Sequence, residues 1–550
     1  MKACALKIHP TDNICVALQD LPAGAVLPEG VVACQPIPQK HKATLRPLKT
    51  GEAARMYGVV VGRALMDLPA GALLTVANLQ HATEADAEPG AQPYVWMPPV
   101  EAERYRDRSF MGYHRADGRV GTLNLWLVIP LVFCENRNIR VLQESMEDAL
   151  GFRSRSEWRL AVERLLDLRR GGAKQGDILA ADILEDNAGQ SAPRRFFPHV
   201  DGIRFLTHEG GCGGTRQDSQ ALCRLLAGYI AHPNVAGATV LSLGCQNAQI
   251  ALLQQALACY PMVEAKPIYI LEQQRSASER AFLAEAVKMT FAGLMQADEM
   301  RRAPAPLSAL RLGLECGGSD GFSGISANPA LGYACDLLVA CGGSALLAEF
   351  PELHGVEHQL SRRCASPKLA ERFNDLMRAY AAQARSVGAD FAHNPSPGNI
   401  RDGLITDAMK SAGAARKGGS SPIADVLDYG EPSIRSGLQL LCTPGNDVES
   451  TTALAASGAN IIAFTTGLGT PTGNPVAPVI KISSNTALAK RMGDLIDFDA
   501  GGIIEGRADL AQCGVDLFEL IIDVASGRVQ TAAMRLEQYD FIPWKRGVSL

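Results

Sequence analysis

The chain has 550 residues, 47% of them hydrophobic and 20% charged, with a formal net charge of -5. This composition is that of a folded globular protein with several cores and excludes an extensively disordered chain. The acidic balance and the lack of long basic runs exclude a nucleic-acid partner, and the most apolar run, residues 125–133, contains Pro130 and is too short for a membrane span.

The first residues lack the apolar segment of a secretory signal, so we expect a cytoplasmic protein without a membrane partner. The 14 cysteines are scattered along the chain without the spacing of a small disulfide scaffold. We therefore predict reduced thiols. The expected partner is a small molecule, and a homo-oligomeric state is left open.

Short apolar segments separated by Pro and Gly turns occupy residues 1–82 and predict a small β domain. Its candidate strands lie at 13–18, 24–27, 31–34 and 59–61, a further strand is expected after His41-Lys42, and residues 71–78 close the domain. Residues 83–108 are rich in Ala, Glu and Pro and show no periodicity. This segment is predicted to be a linker.

A repeated construction follows, in which a short apolar run leads into a Gly-rich polar loop and then a helix. The predicted strands cover 125–133, 203–207, 239–243, 310–314, 437–441, 460–464 and 479–482. Helices are predicted at 219–230, with Asp218 or Ser219 as N-cap, and at 276–295. This alternation predicts two Rossmann-like α/β domains with largely parallel sheets, at 109–303 and 304–550.

The most informative stretch is residues 315–332, which read ECGGSDGFSGISANPALG. Five glycines, one thiol and two carboxylates cannot build a core, but they can line a polar pocket. The Asn328-Pro329 pair suits the first turn of a helix. We expect a ligand site here, at the carboxyl end of a strand in an open α/β sheet.

Three thiols occupy Gly loops that follow predicted strands, namely Cys212, Cys245 and Cys316. A doubly wound fold could bring them together, although their spacing is not that of a closed zinc site. The alternative is that they are small residues tolerated in tight turns. His208, Glu315 and Asp320 lie in the same loops and are candidates for acid/base chemistry or for binding a hard cation.

A second polar loop, residues 465–473, reads TTGLGTPTG and offers hydroxyl and backbone N–H groups for a carboxylate or an enolate oxygen. Lys410, Lys417 and Lys481 are each more typical of solvated lysines when taken singly. Several polar loops at one edge of the sheets would nevertheless require a polar ligand.

Together these segments resemble the altronate/galactarate dehydratase family of hydro-lyases, and more closely its altronate branch. The resemblance rests on RADGRVGTLNLWLVIPLVFCEN, HEGGCGGTRQDS, AHPNVAGATVLSLGCQ, LGLECGGSDGFSGISANPALG, FPELHGVEHQL, HNPSPGN and AFTTGLGTPTGNPVAPVIKISSN. These motifs run in order from about residue 110 to 501. The first eighty residues resemble the small β-clip domain, called SAF, that begins these enzymes.

The resemblance implies dehydration of a sugar acid, D-altronate first, to a 2-keto-3-deoxy acid with a divalent metal. Iron(II) is the expected ion, with manganese(II) as an alternative. On this basis His208, Glu315, Asp320 and His41 are the predicted catalytic residues. The predicted metal ligands are Cys212, Cys245 and Cys316, and the predicted substrate-binding residues are Asn78, Thr465, Thr466, Gly467, Thr470 and Lys481.

One difference from the family lies at the end of the β-clip domain. Members carry His-Thr-His-Asn there, whereas this chain reads Thr75-Val-Ala-Asn78 and keeps neither histidine. Either His41 or His81 compensates, or the substrate differs.

Three alternatives stay open. The first is another β-elimination on the same scaffold, from galactarate, another aldonate or a sulfo-hydroxy acid. The second is an iron–sulfur cluster on the three thiols, which is less favoured than a single iron ion. The third is a non-catalytic protein that binds sugar acids.

Overall fold

The structure is a computed structural model that describes residues 3–83, 94–153, 157–184, 194–261 and 263–547. Its N-terminal region forms two three-stranded antiparallel sheets. The strands are β1 (Ala5–Leu6), β2 (Ile14–Ala17), β3 (Lys42–Thr44), β4 (Ala53–Met56), β5 (Val59–Ala64) and β6 (Leu79–Gln80). The predicted β domain is thus confirmed as a β structure.

Two of its predicted strands are wrong. Residues 24–27 and 31–34 share only an isolated bridge between Val26 and Val32, because Pro28 and Gly30 turn the chain between them. The strand expected after His41-Lys42 is β3, and residues 71–78 contain a bridge at Leu73 and a turn before the last strand begins at Leu79.

The second sheet has four parallel strands in the order β10-β9-β11-β12. They are β9 (Leu125–Pro130), β10 (Gly202–Phe205), β11 (Val235–Ser242) and β12 (Ile268–Glu272). Every residue of β9 is buried, as its continuous apolar sequence predicts for an inner parallel strand.

A small antiparallel sheet joins segments that are far apart in sequence. It contains β7 (Ser109–His114), β8 (Val120–Gly121) and β13 (Ala303–Pro306) in the order β13-β7-β8. Strand β13, which spans the predicted boundary between residues 303 and 304, therefore pairs with β7, the strand that begins the first predicted α/β domain.

The third sheet has seven parallel strands in the order β16-β17-β15-β14-β18-β19-β20. They are β14 (Arg311–Cys316), β15 (Ser344–Leu347), β16 (Ile423–Leu427), β17 (Gly437–Leu441), β18 (Ile461–Thr466), β19 (Val479–Ser483) and β20 (Phe498–Asp499). The largest apolar core contains side chains from this sheet, its helices and the N-terminal strands.

Fifteen α-helices lie in the described residues. They are α1 (Asn136–Glu147), α2 (Glu157–Arg170), α3 (Gln175–Ala180), α4 (Arg216–Ala231), α5 (Ile250–Leu257), α6 (Glu279–Ala297), α7 (Ala327–Ala340), α8 (Glu357–Arg363), α9 (Pro367–Ser386), α10 (Pro397–Arg401), α11 (Asp407–Ala414), α12 (Asp447–Ala456), α13 (Thr486–Arg491), α14 (Leu510–Ala525) and α15 (Ala532–Arg535). None of the helices in the described ranges is long and apolar enough to cross a bilayer.

The predicted helices at 219–230 and 276–295 are confirmed as α4 and α6. The N-cap of α4 is Thr215, whose hydroxyl accepts from the Asp218 N–H, so neither Asp218 nor Ser219 caps the helix. Helix α4 packs on α12 so closely that a Cβ at Gly228 would lie 2.3 Å from the Ala456 oxygen. This contact holds the second and third sheets' helices together.

Residues 84–93 of the predicted linker lie outside the described residues. From Tyr94 onward the segment packs against the C-terminal region. The Trp96 Nε1–H donates to Ser420 Oγ at 3.2 Å, and the buried Tyr105 ring meets Phe518 edge-on at 4.9 Å.

Candidate functional site

The carboxyl edge of the seven-stranded sheet gathers an unusual set of buried charged side chains. Strand β14 ends in Glu315 and Cys316, and the segment after β15 supplies Glu349 and Glu352. Glu349 has a left-handed backbone, with φ 66° and ψ 61°. Such a conformation costs a non-glycine residue about 1–3 kcal/mol and is found mostly at functional sites.

Two buried lysines balance two of these carboxylates. Lys417 Nζ lies 2.5 Å from Glu349 Oε2, and Lys410 Nζ lies 2.6 Å from Glu352 Oε1. Cys316 connects the two pairs, because its N–H donates to Glu349 Oε2 at 3.0 Å and its thiol donates to Glu352 Oε2 at 2.9 Å. Lys410 and Lys417 are therefore components of one ionic network, whereas their sequence alone is typical of solvated lysines.

Glu315 is the carboxyl of this network that lacks a cationic partner at contact distance. Its Oε2 accepts from Ser450 Oγ at 2.7 Å, while its buried Oε1 has no hydrogen-bond partner among the described residues. Burial, followed by the charge of Glu349, raises the pKa of Glu315 well above its ordinary value. This shift favours the neutral form of the Glu315 carboxyl, which carries a proton that it could donate.

Burial also shifts the pKa of two groups beside the network. The pKa of Asp447 rises to about 6, through burial and then the charge of Glu352. Burial lowers the pKa of Lys481 to about 8, although the negative charge of Asp447 acts to raise it. Gly317 packs against Asp447 and Phe464, since a Cβ there would be 2.1 Å from Asp447 Oδ2 and 2.5 Å from the Phe464 ring.

Asp320 fixes the Gly-rich loop through several hydrogen bonds. Its buried Oδ1 accepts from the N–H groups of Phe322 and Ser323 and from the hydroxyls of Ser323 and Ser484. Its Oδ2 lies 3.0 Å from Lys40 Nζ of the β-clip domain. These contacts give Asp320 a structural part in holding the loop, and its predicted catalytic role stays a prediction.

The predicted substrate loop lies at the same edge of the sheet, but its side chains already have partners. Thr465 Oγ1 donates to Asn328 Oδ1 at 2.7 Å, and Thr466 Oγ1 accepts from the Gly469 N–H at 2.9 Å. The Lys481 ammonium donates to the Thr470 oxygen at 2.5 Å. Gly467 packs on Asp320, since a Cβ there would be 2.3 Å from the Asp320 carboxyl carbon.

Two predicted residues of the β-clip domain have local roles. Asn78 closes its own turn, because its Oδ1 accepts from the Thr75 N–H at 2.8 Å and its amide donates to the Leu73 oxygen at 2.9 Å. The ring of His41 contacts the Gln39 oxygen at 3.2 Å. The groups of this domain that reach the C-terminal region include Lys40, which contacts Asp320, and the buried Lys42, which donates to the Gly403 oxygen at 2.6 Å.

His208, Cys212 and Cys245 lie elsewhere, at the loops of the four-stranded sheet. Both ring nitrogens of His208 are occupied, with Nε2 2.8 Å from the Pro130 oxygen and Nδ1 accepting from the Gly210 N–H. Burial lowers the pKa of His208 to about 4. This neutral, fixed imidazole shapes its loop, which argues against the predicted catalytic role.

The three predicted metal ligands are not together. Cys316 is buried in the third sheet's network, whereas Cys212 and Cys245 are exposed on second-sheet loops, beside Cys134. The expectation that the two α/β units present their thiols at one centre is not met, because each unit has its own sheet edge.

Two groups in the described part of the chain have ligand atoms close enough for one metal ion. Cys316, Glu349 and Glu352 form the first, but both carboxylates already contact lysine ammonium groups, which disfavour a divalent cation. The second is His81, His354 and Asp407. Here the His354 Nδ1 lies 2.9 Å from Asp407 Oδ2, and the buried Oδ1 of Asp407 has no partner within the described residues.

The second group fits iron(II) by its chemistry. Two imidazoles and one carboxylate are the donor set of non-haem iron sites with open positions. The two rings are stacked with centroids 5.4 Å apart, and His81 Nδ1 accepts from the Ala408 N–H at 3.4 Å. His81 is one of the two residues, with His41, that the sequence offers in place of the histidines missing at positions 75 and 77.

Sequence reasoning missed Glu349, Glu352, His354 and Asp407. A usable signal was present, since the apolar residues 344–348 lead directly into Glu349-Phe-Pro-Glu352-Leu-His354. The same pattern, an apolar strand followed by a polar loop, occurs at Glu315. Asp407 has no such signal, because it begins α11 and reaches the site only through folding.

Fold and site together define an α/β protein with a β-clip domain and a buried acid and lysine centre at the edge of its large parallel sheet. Comparison with known proteins narrows this class. Residues 3–82 match the altronate/galactarate dehydratase SAF domain, 112–298 match the second domain of D-galactarate dehydratase/altronate hydrolase, and 307–549 match the C-terminal domain of D-galactarate/altronate dehydratase.

Full-length relatives agree with these matches. The chain is 33% identical to altronate dehydratase of Bacillus subtilis and 32% identical to that of Escherichia coli, over 99% of each chain. It is 31% identical to the Escherichia coli galactarate dehydratase (L-threo-forming), over 96% of this chain and 93% of that one. The chain belongs to the altronate/galactarate dehydratase family.

Proposed function

We propose that the protein is a hydro-lyase that removes water from a sugar acid, D-altronate first, to give a 2-keto-3-deoxy acid. The observation that carries this proposal is the similarity to two altronate dehydratases over 99% of the chain. The buried acid and lysine centre supports it, because this reaction needs one group to accept a proton and another to donate one.

The proton next to a carboxylate is weakly acidic, so the site must stabilise negative charge while a base removes that proton. In our proposal Glu349 is the base, since burial and then Glu352 raise its pKa. Glu315 is the acid that protonates the departing hydroxide. Two interacting carboxyls with different pKa values are a typical acid/base pair.

The cationic groups of the centre would neutralise the substrate. Burial alone would lower the pKa of Lys410, but the charge of Glu352 outweighs it and keeps the ammonium protonated. Lys417 is held charged in the same way by its acidic neighbours. Lys481 and the loop at 465–470 supply further donors at this edge of the sheet.

We assign iron(II), with manganese(II) as an alternative, to His81, His354 and Asp407. When bound there, the ion would act as a Lewis acid toward the substrate's oxygens. The support is the unpartnered Oδ1 of Asp407 and the absence of a lysine contact in this group within the described residues.

The test is anaerobic turnover by the full-length protein after loading with iron(II) or manganese(II). The panel contains altronate, galactarate, other aldonates and sulfolactate, with keto-acid and sulfite as separate readouts. We expect keto-acid formation fastest from altronate and its loss with a chelator. Sulfite release would instead indicate the chemistry of the (2R)-sulfolactate sulfo-lyase beta subunit of Chromohalobacter salexigens, which is 28% identical over 80% of this chain.

If protein that is folded, metal-loaded and able to bind altronate turned over none of the substrates in the panel, the proposal would be overturned. That outcome would favour a sugar-acid binding protein without catalysis.

A further inference from the structure

Three exposed thiols lie at the carboxyl edge of the four-stranded sheet, outside the centre described above. Cys134 follows β9, Cys212 follows β10 and Cys245 follows β11, and these three strands are neighbours in the sheet. Cysteine is among the residue types most often buried. Three exposed cysteines after three adjacent strands therefore require an explanation other than packing.

Backbone hydrogen bonds draw the three loops together. The Phe133 N–H, next to Cys134, donates to the Gly210 oxygen at 3.1 Å. The Ala248 N–H, in the loop that carries Cys245, donates to the Gly211 oxygen at 3.0 Å. Cys212 is thus held between the other two loops.

Glycine is required for this approach. A Cβ at Gly211 would lie 2.1 Å from the Leu131 oxygen, and Gly211 has a φ of +92°. A larger residue would push the loop of Cys212 away from the end of β9. Glycine at position 211 therefore keeps the loops close together, because it adopts this backbone conformation without strain and adds no side chain.

The three thiols thus lie on loops that follow adjacent strands and that are hydrogen-bonded to one another. Thiolates brought together in this way repel one another unless a cation lies among them. The arrangement is accordingly that of a soft metal site rather than of three independent surface residues.

The distances between the three sulfur atoms distinguish a site for a single metal ion from a site for a cluster. Among the described residues, the three sulfur atoms are not all within 4.8 Å of one another. Thiolates on one tetrahedral ion with metal–sulfur bonds of about 2.3 Å would be about 3.8 Å apart. A cluster holds its cysteine sulfurs further apart, because iron and sulfide ions lie between them.

We propose that Cys134, Cys212 and Cys245 bind an iron–sulfur cluster as the three protein ligands of a four-iron, four-sulfide unit. Thiolates are the ligands of such clusters. Between Gly210 and Gly214, whose own N–H groups donate to His208 and Cys212, the loop carries the N–H groups of Gly211, Cys212 and Gly213, which are suited to the cluster's sulfide ions. Three ligands leave one iron with an exchangeable position.

A cavity of about 610 Å³ gives small molecules access to this edge of the sheet. Its lining includes Cys212, Asn136, His208 and Trp544. The cluster site does not depend on the proposed dehydratase centre, whose iron would be bound without sulfide.

Sulfide content tests the proposal and distinguishes the two iron sites. The full-length protein is incubated anaerobically with iron salts and sulfide, desalted, and assayed for iron, acid-labile sulfide and visible absorption. We expect about four sulfides per chain and the broad absorption of a cluster. Cys134→Ser, Cys212→Ser and Cys245→Ser should each lose the labile sulfide.

Cys259→Ser is the matched control, because Cys259 is also exposed but follows α5. It should keep the full sulfide content. Retention of sulfide by all three site variants, or the lack of labile sulfide in the reconstituted parent protein, would overturn the proposal.

A second measurement applies even where a variant fails to fold. In the reconstituted parent protein, alkylation mapped by mass spectrometry should spare Cys134, Cys212 and Cys245, while Cys34 and Cys259 react. Equal labelling of all five exposed thiols would contradict the assignment.

Discussion

Lys417 Nζ lies 2.5 Å from Glu349 Oε2, and both side chains are almost completely buried, at 1% and 0% exposure. A buried ion pair gains little net stability, because desolvation of both charges opposes their attraction. The position of the pair at the edge of the sheet, close to Glu315, is consistent with the acid/base role proposed above. The removal of one partner, however, leaves the other charge buried and alone.

Lys417→Met should therefore destabilise the protein by about 3–5 kcal/mol, the range for breaking a buried pair. Chemical denaturation measures this change. Lys490→Met alters an exposed lysine on α13 and should change the unfolding free energy by less than about 0.5 kcal/mol. Similar stabilities for the two variants would show that the pair is not energetically coupled.

Glu315→Gln should abolish turnover without unfolding the chain. The amide keeps the size of the carboxyl and can still accept from Ser450, but it has no proton to donate to the leaving group. A loss of about 100-fold to 10,000-fold in kcat is expected. Glu371→Gln, on the exposed face of α9, is the control. A kcat of Glu315→Gln within a few-fold of the parent would exclude the acid role.

Asp447 should make folding stability depend on pH. Its pKa rises from 3.8 unfolded to about 6 folded, so the folded state binds more protons between these values. Its stabilising contribution is full below pH 3.8 and is lost as pH rises through about 6, a change of up to about 3 kcal/mol.

Unfolding free energies measured between pH 4 and 7 should accordingly fall less steeply in Asp447→Asn than in the parent. Asp516→Asn, an exposed substitution on α14, should leave the slope unchanged. If the unfolding free energy of Asp447→Asn fell with pH as steeply as that of the parent protein, another group would be responsible for the titration in this range.

Gly317→Ala should disturb the centre through a single methyl group. The new Cβ would be 2.5 Å from the buried Phe464 ring, and overpacking of this kind costs about 1–3 kcal/mol. Gly176→Ala is matched to it, because a Cβ at this helical glycine meets nothing within 4 Å. That control should be neutral or stabilising by up to about 1 kcal/mol, and thermal unfolding compares the two.

Iron affinity should depend on His81 and His354. Replacing either with Ala removes one imidazole donor and should weaken iron(II) binding at least about 10-fold, as measured by anaerobic titration. His9→Ala, in the first domain, provides the control. Labile sulfide should be unchanged in both variants, since the proposed cluster thiols are untouched. Unaltered iron affinity would remove the assignment to His81, His354 and Asp407.

Parallel strands were the most predictable part of the fold. Residues 437–441 were predicted as a strand and are β17 (Gly437–Leu441), because a strand buried on both faces is a continuous apolar run between polar loops. The short strands of the β-clip domain were harder to predict, since only two residues pair at Val26 and Val32. Local alternation cannot show whether a pairing partner exists.

The sequence by itself determined the family, the parallel α/β architecture and the importance of the loop that begins at Glu315, since these follow from local composition and from ordered motifs. Tertiary structure alone decided which polar groups share a site. It separated Cys316 from Cys212 and Cys245, occupied both nitrogens of His208, and brought Asp407 to His354 across 53 residues. Desolvation and charge pairing depend on neighbours in space, and a sequence records only neighbours along the chain.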